Sequence, residues 1–316
     1  MKRKVIQLAG KTSVISLPKK WVEKYGIKKG DELEIEERTN NLVISTQRPL
    51  SMESIDIDVT EMPKQLIEVS IKGAYKAGYE EIKLIFKNRE TRDLKLKTNI
   101  PVYNVIKAQV DKLIGIEIIS NSENFCIIKE ITSTNEKEFD NIMRRIFLLV
   151  LDMGEESYNA IKNLKPTDLY DKHDTIEKLI YYCLRLLSKY GYHDYRKTNL
   201  LYNYLTQLEE IIHVYRYLTK EFFYFNKKTR NEVLEMFAKT NKTFRLAYEV
   251  FYSYNTEKIN LMYSLRRELF EKNNDLILKN KKIEKHEAIL LTRLVVIVVN
   301  TLNLLEISLA MKIENK

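Results

Sequence analysis

From residue 133 onward the apolar positions return every three or four residues. Phe139, Ile142, Met143, Ile146, Val150 and Met153 make one stripe, and Leu201, Tyr204, Leu205, Leu208, Ile211, Ile212, Tyr215, Leu218 and Phe222 make a second. Val233, Phe237, Thr240, Phe244, Ala247 and Phe251 follow with a period of about 3.5, the spacing of a helix seam buried in a bundle. Ser133 and Glu136 have the spacing of a capping box ahead of the first stripe. Breaks at Pro166, at 191–195, at Asn226, at 254–255 and near Asn280 cut the stretch into six helices, and two groups of three suggest an internal repeat. The breakers agree: all five prolines lie in the first 166 residues, and after Gly154 the only glycine is Gly191. Helix interiors exclude both residues, at about 3 kcal/mol for Pro and about 1 kcal/mol for Gly.

The first half has another rhythm. Short β-branched runs at 5–8, 13–17, 32–36 and 42–46 are separated by Gly10, by a turn region at 26–30 and by Thr39, Asn40 and Asn41, with one helical turn at 19–24. Beyond a boundary near Pro49, the pattern predicts a helix over 63–77, a strand over 82–86, a helix over 102–113 and strands over 116–119 and 125–128. That order describes a small α+β layer with helices on one sheet face.

Charge changes the picture of the first segment. The chain of 316 residues carries 53 Lys and Arg against 44 Asp and Glu, a net +9. Residues 1–30 hold eight Lys and one Arg against a single acid, Glu23, so +8 of that charge sits there. Basic residues beside the hydroxyls of Thr12 and Ser13 are what a phosphate-gripping surface needs; a solvated lysine-rich face is the plain alternative. About 48 residues also bury too little surface to fold alone without metal or disulfide, so association is expected. With only Cys126 and Cys183, no disulfide framework or Cys-based zinc site is expected.

The run GKTSVISLPKKWVEKYGIKKGDELEIE, Gly10 to Glu36, resembles the AbrB/SpoVT swapped-hairpin DNA-binding domain: glycine and a basic residue, a strand ending in Pro, a short helix, then a G-[IV]-x-x-GD turn and a last strand. The resemblance implies that two chains exchange hairpins into one interlaced barrel and that basic residues of the first strand and its loop face DNA. At matching positions these are Arg3, Lys4, Lys11, Thr12, Ser13, Lys19 and Lys20, while Gly26, Gly30 and Asp31 fill structural turn roles. Lys11 stands where many members have Arg, which weakens a bidentate guanine contact and leaves a phosphate contact available. The remainder, with AYKAGYEEIKLIF, LIGIEII and the six helices, resembles archaeal proteins that join such a domain to a PhoU-like helical region, regulators of phosphate uptake acting with a transporter and a sensor kinase.

That second resemblance raises the question of metal, since many PhoU proteins hold metal clusters through carboxylates one helical turn apart. Here the corresponding positions are His173 and Glu177, and in the second repeat Thr256 and Asn260, so a multinuclear cluster lacks its bridging carboxylates; no metal or other cofactor is expected, with His173 and Glu177 the nearest to a ligand pair. Asp152 with Glu156, and Glu271 with Asp275, read as solvated helix faces. No H-E-x-x-H, G-x-S-x-G or P-loop occurs, and Glu209 with His213 reads as an exposed pair, so no enzyme is expected. In 288–311 the apolar run 294–299 is interrupted by Arg293, Asn300, Asn303 and Glu306, which favours a bundle helix over an integral membrane segment. The N-terminus has no apolar core for a signal peptide, and a cytoplasmic location is expected.

The expected fold class is α+β multidomain: a dimeric swapped-hairpin β-barrel (1–48), an α+β connecting layer (55–131) and an all-α PhoU-like region of two three-helix bundles (133–316). The expected function is that of a homodimeric transcription regulator of phosphate homeostasis that binds double-stranded DNA and receives its signal through the helices, with a phosphate transporter or sensor kinase as partner. The alternative is an adaptor that binds no DNA and inhibits such a transporter or kinase.

Overall fold

The structure is a computed structural model and describes residues 2–38, 41–45, 54–132, 138–279 and 283–312. Ser133 and Glu136, the boundary at Pro49, the turn residues Thr39 and Asn40, and the break at Asn280 lie outside the described residues.

The N-terminal segment forms two separate antiparallel ribbons around a short helix. β1 (Ile6–Leu8) pairs with β2 (Thr12–Val14), α1 (Lys19–Lys24) follows Pro18, and β3 (Glu34–Arg38) pairs with β4 (Asn41–Ser45). The first ribbon ends at Val14, short of the sequence expectation. The ribbons do not pair with each other, so one chain closes no barrel among the described residues.

The connecting layer has more strands than the pattern predicts. β5 (Ser54–Asp58), α2 (Lys64–Ala77), β6 (Glu81–Ile85), β7 (Glu90–Asp93), β8 (Thr98–Pro101), α3 (Val102–Val110), β9 (Ile116–Asn121) and β10 (Phe125–Glu130) follow in order. The main sheet runs β5-β6-β10-β9, with β5 parallel to β6 through the α2 crossover and the other pairs antiparallel. Alternation along β6 and β10 buries Ile82, Leu84, Cys126 and Ile128 in one core with Ile67, Ile71 and Tyr75 of α2 and Val105 and Ile106 of α3. α2 ends in a Schellman motif: Gly78 sits at φ 97, and the amides of Gly78 and Tyr79 bond to the carbonyls of Tyr75 and Ala74. A Cβ at Gly78 would come 2.8 Å from Cγ of Lys189, so the same glycine lets the helical half approach.

That half contains α4 (Phe139–Lys162), α5 (Tyr170–Tyr190), α6 (Thr198–Phe223), α7 (Asn231–Tyr252), α8 (Thr256–Asn274) and α9 (Lys285–Lys312). A single 3-10 turn precedes α6, and a π segment at Asp275–Lys279 follows α8. The four described breaks fall where the sequence places them, with Gly191 at φ 73, Asn226 at φ 44, and Asn255 capping α8 through its side chain and the Lys258 amide. Within α4–α6 each helix packs on the other two, and so it is within α7–α9; α6 against α9 and α4 against α7 join the groups. Nearly all the stripe residues are buried, Ile142 and Phe251 only partly. Gly154 brings three helices close: its carbonyl accepts from Nδ2 of Asn241 at 2.9 Å, whose Oδ1 accepts from the Tyr215 hydroxyl at 2.8 Å.

Helix α9 is long and apolar enough, by length and composition, to cross a membrane, and half of its most apolar window is buried within the structure. Two of the four polar residues that interrupt it find partners on α6: Arg293 pairs with Glu221 at 2.6 Å, and Nδ2 of Asn303 donates to Oε1 of Gln207 at 3.1 Å.

Candidate functional site

Among residues 2–23, 25–35 and 42–44, whose side chains are described, none is fully buried. Val5, Ile6, Leu8, Ile15, Ile35 and Leu42, on the strands or directly flanking them, are each between 47% and 65% exposed, and together they make an exposed apolar surface. Strand register sorts the first ribbon into two faces. Ile6 faces Val14 and Leu8 faces Thr12, while Gln7 faces Ser13 on the opposite side.

The hairpin tip is set by backbone geometry. Ala9 and Gly10 are both at positive φ, 50 and 71, as a tight primed turn needs, and the Lys11 amide closes it on the Leu8 carbonyl at 3.3 Å. Arg3 and Lys4 precede β1, Lys11 follows the tip, Thr12 and Ser13 lie in β2, and Lys19 and Lys20 open α1; all seven are exposed. The structure does not gather them on a single surface: Ser13 shares the polar face with Gln7, which sequence reasoning passed over, whereas Thr12 shares the apolar face with Ile6, Leu8 and Val14. Lys19 reaches Glu23 at 3.7 Å in a solvent-exposed pair.

Below this tip, α1 ends in its own Schellman motif, with the amides of Gly26 and Ile27 bonded to the carbonyls of Glu23 and Val22 and Gly26 at φ 57. Asp31 accepts from the Lys28 amide at 2.7 Å, and Gly30 is at φ 95. These are turn-building roles.

Residues 6–53 match the family model described as antidote-toxin recognition MazE, bacterial antitoxin. The chain thus carries a MazE/AbrB-type antitoxin-like N-terminal segment, which is consistent with DNA-binding regulation and with dimerisation. No curated protein and no solved structure matches the chain.

A second constellation lies inside the helical half. His173 and Glu177, one turn apart on α5, meet His213 of α6, and one donor atom from each lies within 4.8 Å of the others. The two imidazoles stack with centroids 5.0 Å apart, and Nε2 of His213 is 3.4 Å from Oε1 of Glu177. Nδ1 of His173 is 3.0 Å from Asp174 and 3.3 Å from the Arg216 guanidinium. Burial holds the His173 imidazolium below its usual range against the pull of Asp174, with Arg216 adding to the depression. Burial would raise the Glu177 carboxyl, but His213, His173, Lys72 and the Tyr181 hydroxyl together hold it well below the usual carboxylate range. Glu209, one turn from His213, accepts instead from the Tyr181 hydroxyl at 2.8 Å, so the pair that sequence spacing suggested is replaced by one between helices. Of the other acidic pairs, Asp152 and Glu156 share Lys172, and Glu271 takes Arg267, as solvated faces do.

Proposed function

We propose that the chain is a homodimeric DNA-binding transcription regulator whose N-terminal segment completes its fold with a second copy by hairpin exchange and whose helical half receives the signal. The observation that carries this reading is the coexistence, in residues 2–44, of exposed aliphatic strand faces with an exposed basic hairpin tip. An apolar ribbon face in water is unfavourable until something covers it. A second copy covers it and places two basic tips in a symmetric pair, the arrangement that reads two half-sites of a duplex. Ser13, Lys11, Lys19, Lys20, Arg3 and Lys4 then contact phosphates, and the two-face geometry makes Thr12 an interface residue before it is a DNA residue.

The regulated process in this reading is phosphate uptake in an archaeal cytoplasm, on the likeness of the helical half to PhoU-like regions; a phosphate transporter or sensor kinase is its partner, and the chain catalyses nothing. The partners that Arg293 and Asn303 find on α6 support a bundle role for α9 over a membrane-spanning one.

The test is a salt titration of full-length protein on duplex DNA from upstream of phosphate-transport genes. Lys11→Ala with Lys19→Ala and Lys20→Ala should lower the slope of log K against log salt by roughly 0.9 for each phosphate contact removed. An unchanged titration by a folded triple variant would overturn the DNA-binding reading and leave the adaptor.

A further inference from the structure

We propose that His173, Glu177 and His213 form a binding site for a single divalent cation of the zinc, cobalt or nickel class, bridging α5 and α6. The inference is independent of the DNA-binding reading.

Three features of the cluster point to a ligand. Nε2 of His173 is buried, in a side chain only 1% exposed, and has no hydrogen-bond partner among the described residues. A buried nitrogen left without a partner is costly and rare. Its ring can be oriented as a metal ligand's is: the Asp174 carboxylate 3.0 Å from Nδ1 favours the tautomer with the proton there. In that tautomer the Arg216 guanidinium at 3.3 Å is a charged neighbour and not a hydrogen-bond donor to the ring, and Nε2 presents its lone pair. Metal-bound histidines nearly always make that outer bond to a carboxylate or carbonyl. Third, Nε2 of His213 and Oε1 of Glu177 stand 3.4 Å apart. That is long for a charge-assisted hydrogen bond, which runs about 2.7–2.9 Å. It equals the separation of two donors around a tetrahedral ion with bonds of about 2.0–2.1 Å, roughly 3.3–3.4 Å. The three donors together span up to 4.8 Å, so the third closes in when the ion binds.

The donor set decides the class of ion. Two imidazoles and one carboxylate suit borderline transition cations, whereas calcium and magnesium take shells of oxygen. Three protein ligands leave a fourth position for water or a small anion. Several charges face the site. Arg216, near Nδ1 of His173, and Lys72, from α2, oppose a cation; Glu177 and Asp174 favour it, with Glu209 close by through Tyr181. The guanidinium lies at the ring edge away from Nε2, so it does not compete for the donor atom.

The experiment titrates metal-free full-length protein with Co2+ and reads visible ligand-field absorption. One equivalent per chain should saturate the signal, and Zn2+ should displace it. His213→Ala and Glu177→Gln should each weaken binding at least tenfold, and Asp174→Asn, which reaches the ion through His173 and also releases Lys112 at 3.2 Å, by about 10–100-fold. His193→Ala, an exposed histidine outside the cluster, should bind as the unaltered chain does. Absence of a one-equivalent signal, or saturation that His213→Ala leaves untouched, would overturn the proposal. If His213→Ala fails to fold by helical circular dichroism, the melting temperature of the unaltered chain decides: it should rise with excess Zn2+ and stay put with Mg2+, and an equal response to both would overturn the site.

Discussion

The N-terminal ribbons and the helical half solve the burial problem in opposite ways. In the helices the stripes close on one another, and polar groups caught inside are mostly bonded, as Asn241 is to Gly154 and Tyr215. In residues 2–44 no described side chain is fully buried, and Ile6, Leu8, Ile35 and Leu42 of the strands face outward while Val14, Val43 and Ile44 are only half-buried. A long amphipathic helix can find its cover within its own chain because five others lie within reach. A strand of three residues with one apolar face cannot. The segment that fails to complete itself is therefore the one whose chemistry must be intermolecular, toward a second copy and toward DNA.

The largest effect should come from attacking that incompleteness directly. Ile6→Asp with Leu8→Asp places charges on the face shared with Thr12 and Val14. Burying a large aliphatic side chain is worth about 1.5–3 kcal/mol, so four per dimer amount to roughly 6–12 kcal/mol. A micromolar dissociation constant represents only about 8 kcal/mol. The double variant should run as a monomer in light scattering at micromolar concentration while the helical half melts as before. A variant that remains a dimer would move the interface elsewhere and weaken the contrast between the two regions.

The helical half should instead break through its buried polar joints. Arg185, wholly buried, donates to the Tyr75 carbonyl at 2.8 Å, pairs with Glu130 at 2.9 Å and lies over the Tyr75 ring, tying α5 to α2 and β10. Removing one partner of a buried pair costs about 3–5 kcal/mol. Lys189 still reaches Glu130 at 2.7 Å, which places Arg185→Met near the lower end. Calorimetry should show a melting temperature lower by several degrees, with dimerisation and the DNA salt slope intact.

These two regions were also unequally legible. The six helices could be read because a stripe repeats over twenty or more residues and Pro, Gly and Asn punctuate it. Strand β5 was passed over because Ser54, Asp56 and Asp58 alternate with two isoleucines, and such residues are poor strand formers. The β7–β8 ribbon carries almost no apolar signal. It is held by Asp93, buried beneath α2, which accepts from Lys64 and Gln65 at 2.8 Å each and from the amides of Lys95 and Leu96, contacts that no local pattern announces. The basic tip was legible from charge alone, although its division into two faces needed the register. His213 joined Glu177 only through the packing of α6 on α5, across 36 residues.

A pH titration sharpens the comparison further. Glu177 is held below its unfolded range, so its ion pairs stabilise the fold fully above about pH 4.5, the ordinary value, and that stability is lost as the pH falls toward the folded value. Between neutral pH and about 4.5 Glu177 adds no slope; the depressed His173, whose stabilisation is lost as the pH falls below its ordinary value of about 6.5, gives a first decline there, and below about 4.5 the melting temperature should drop further. Glu177→Gln should flatten the acid limb in metal-free protein. An acid limb identical in the variant would show that other carboxylates, Asp93 foremost, carry the acid sensitivity.

The smallest effect expected is at Glu23, and it separates charge from fold. Glu23 is the single acid in residues 1–30 and pairs with Lys19 across one turn of α1, both side chains well exposed. Exposed pairs of this kind add well under 1 kcal/mol, so Glu23→Gln should leave melting and dimerisation unchanged. It should still free Lys19 and remove a negative charge from the basic surface. Duplex DNA should bind a few-fold more tightly at low salt, with the gain fading as salt screens the surface over a Debye length of about 10 Å at 0.1 M. An affinity that falls instead would mean that Glu23 positions Lys19 for its phosphate, making the ion pair part of the interface.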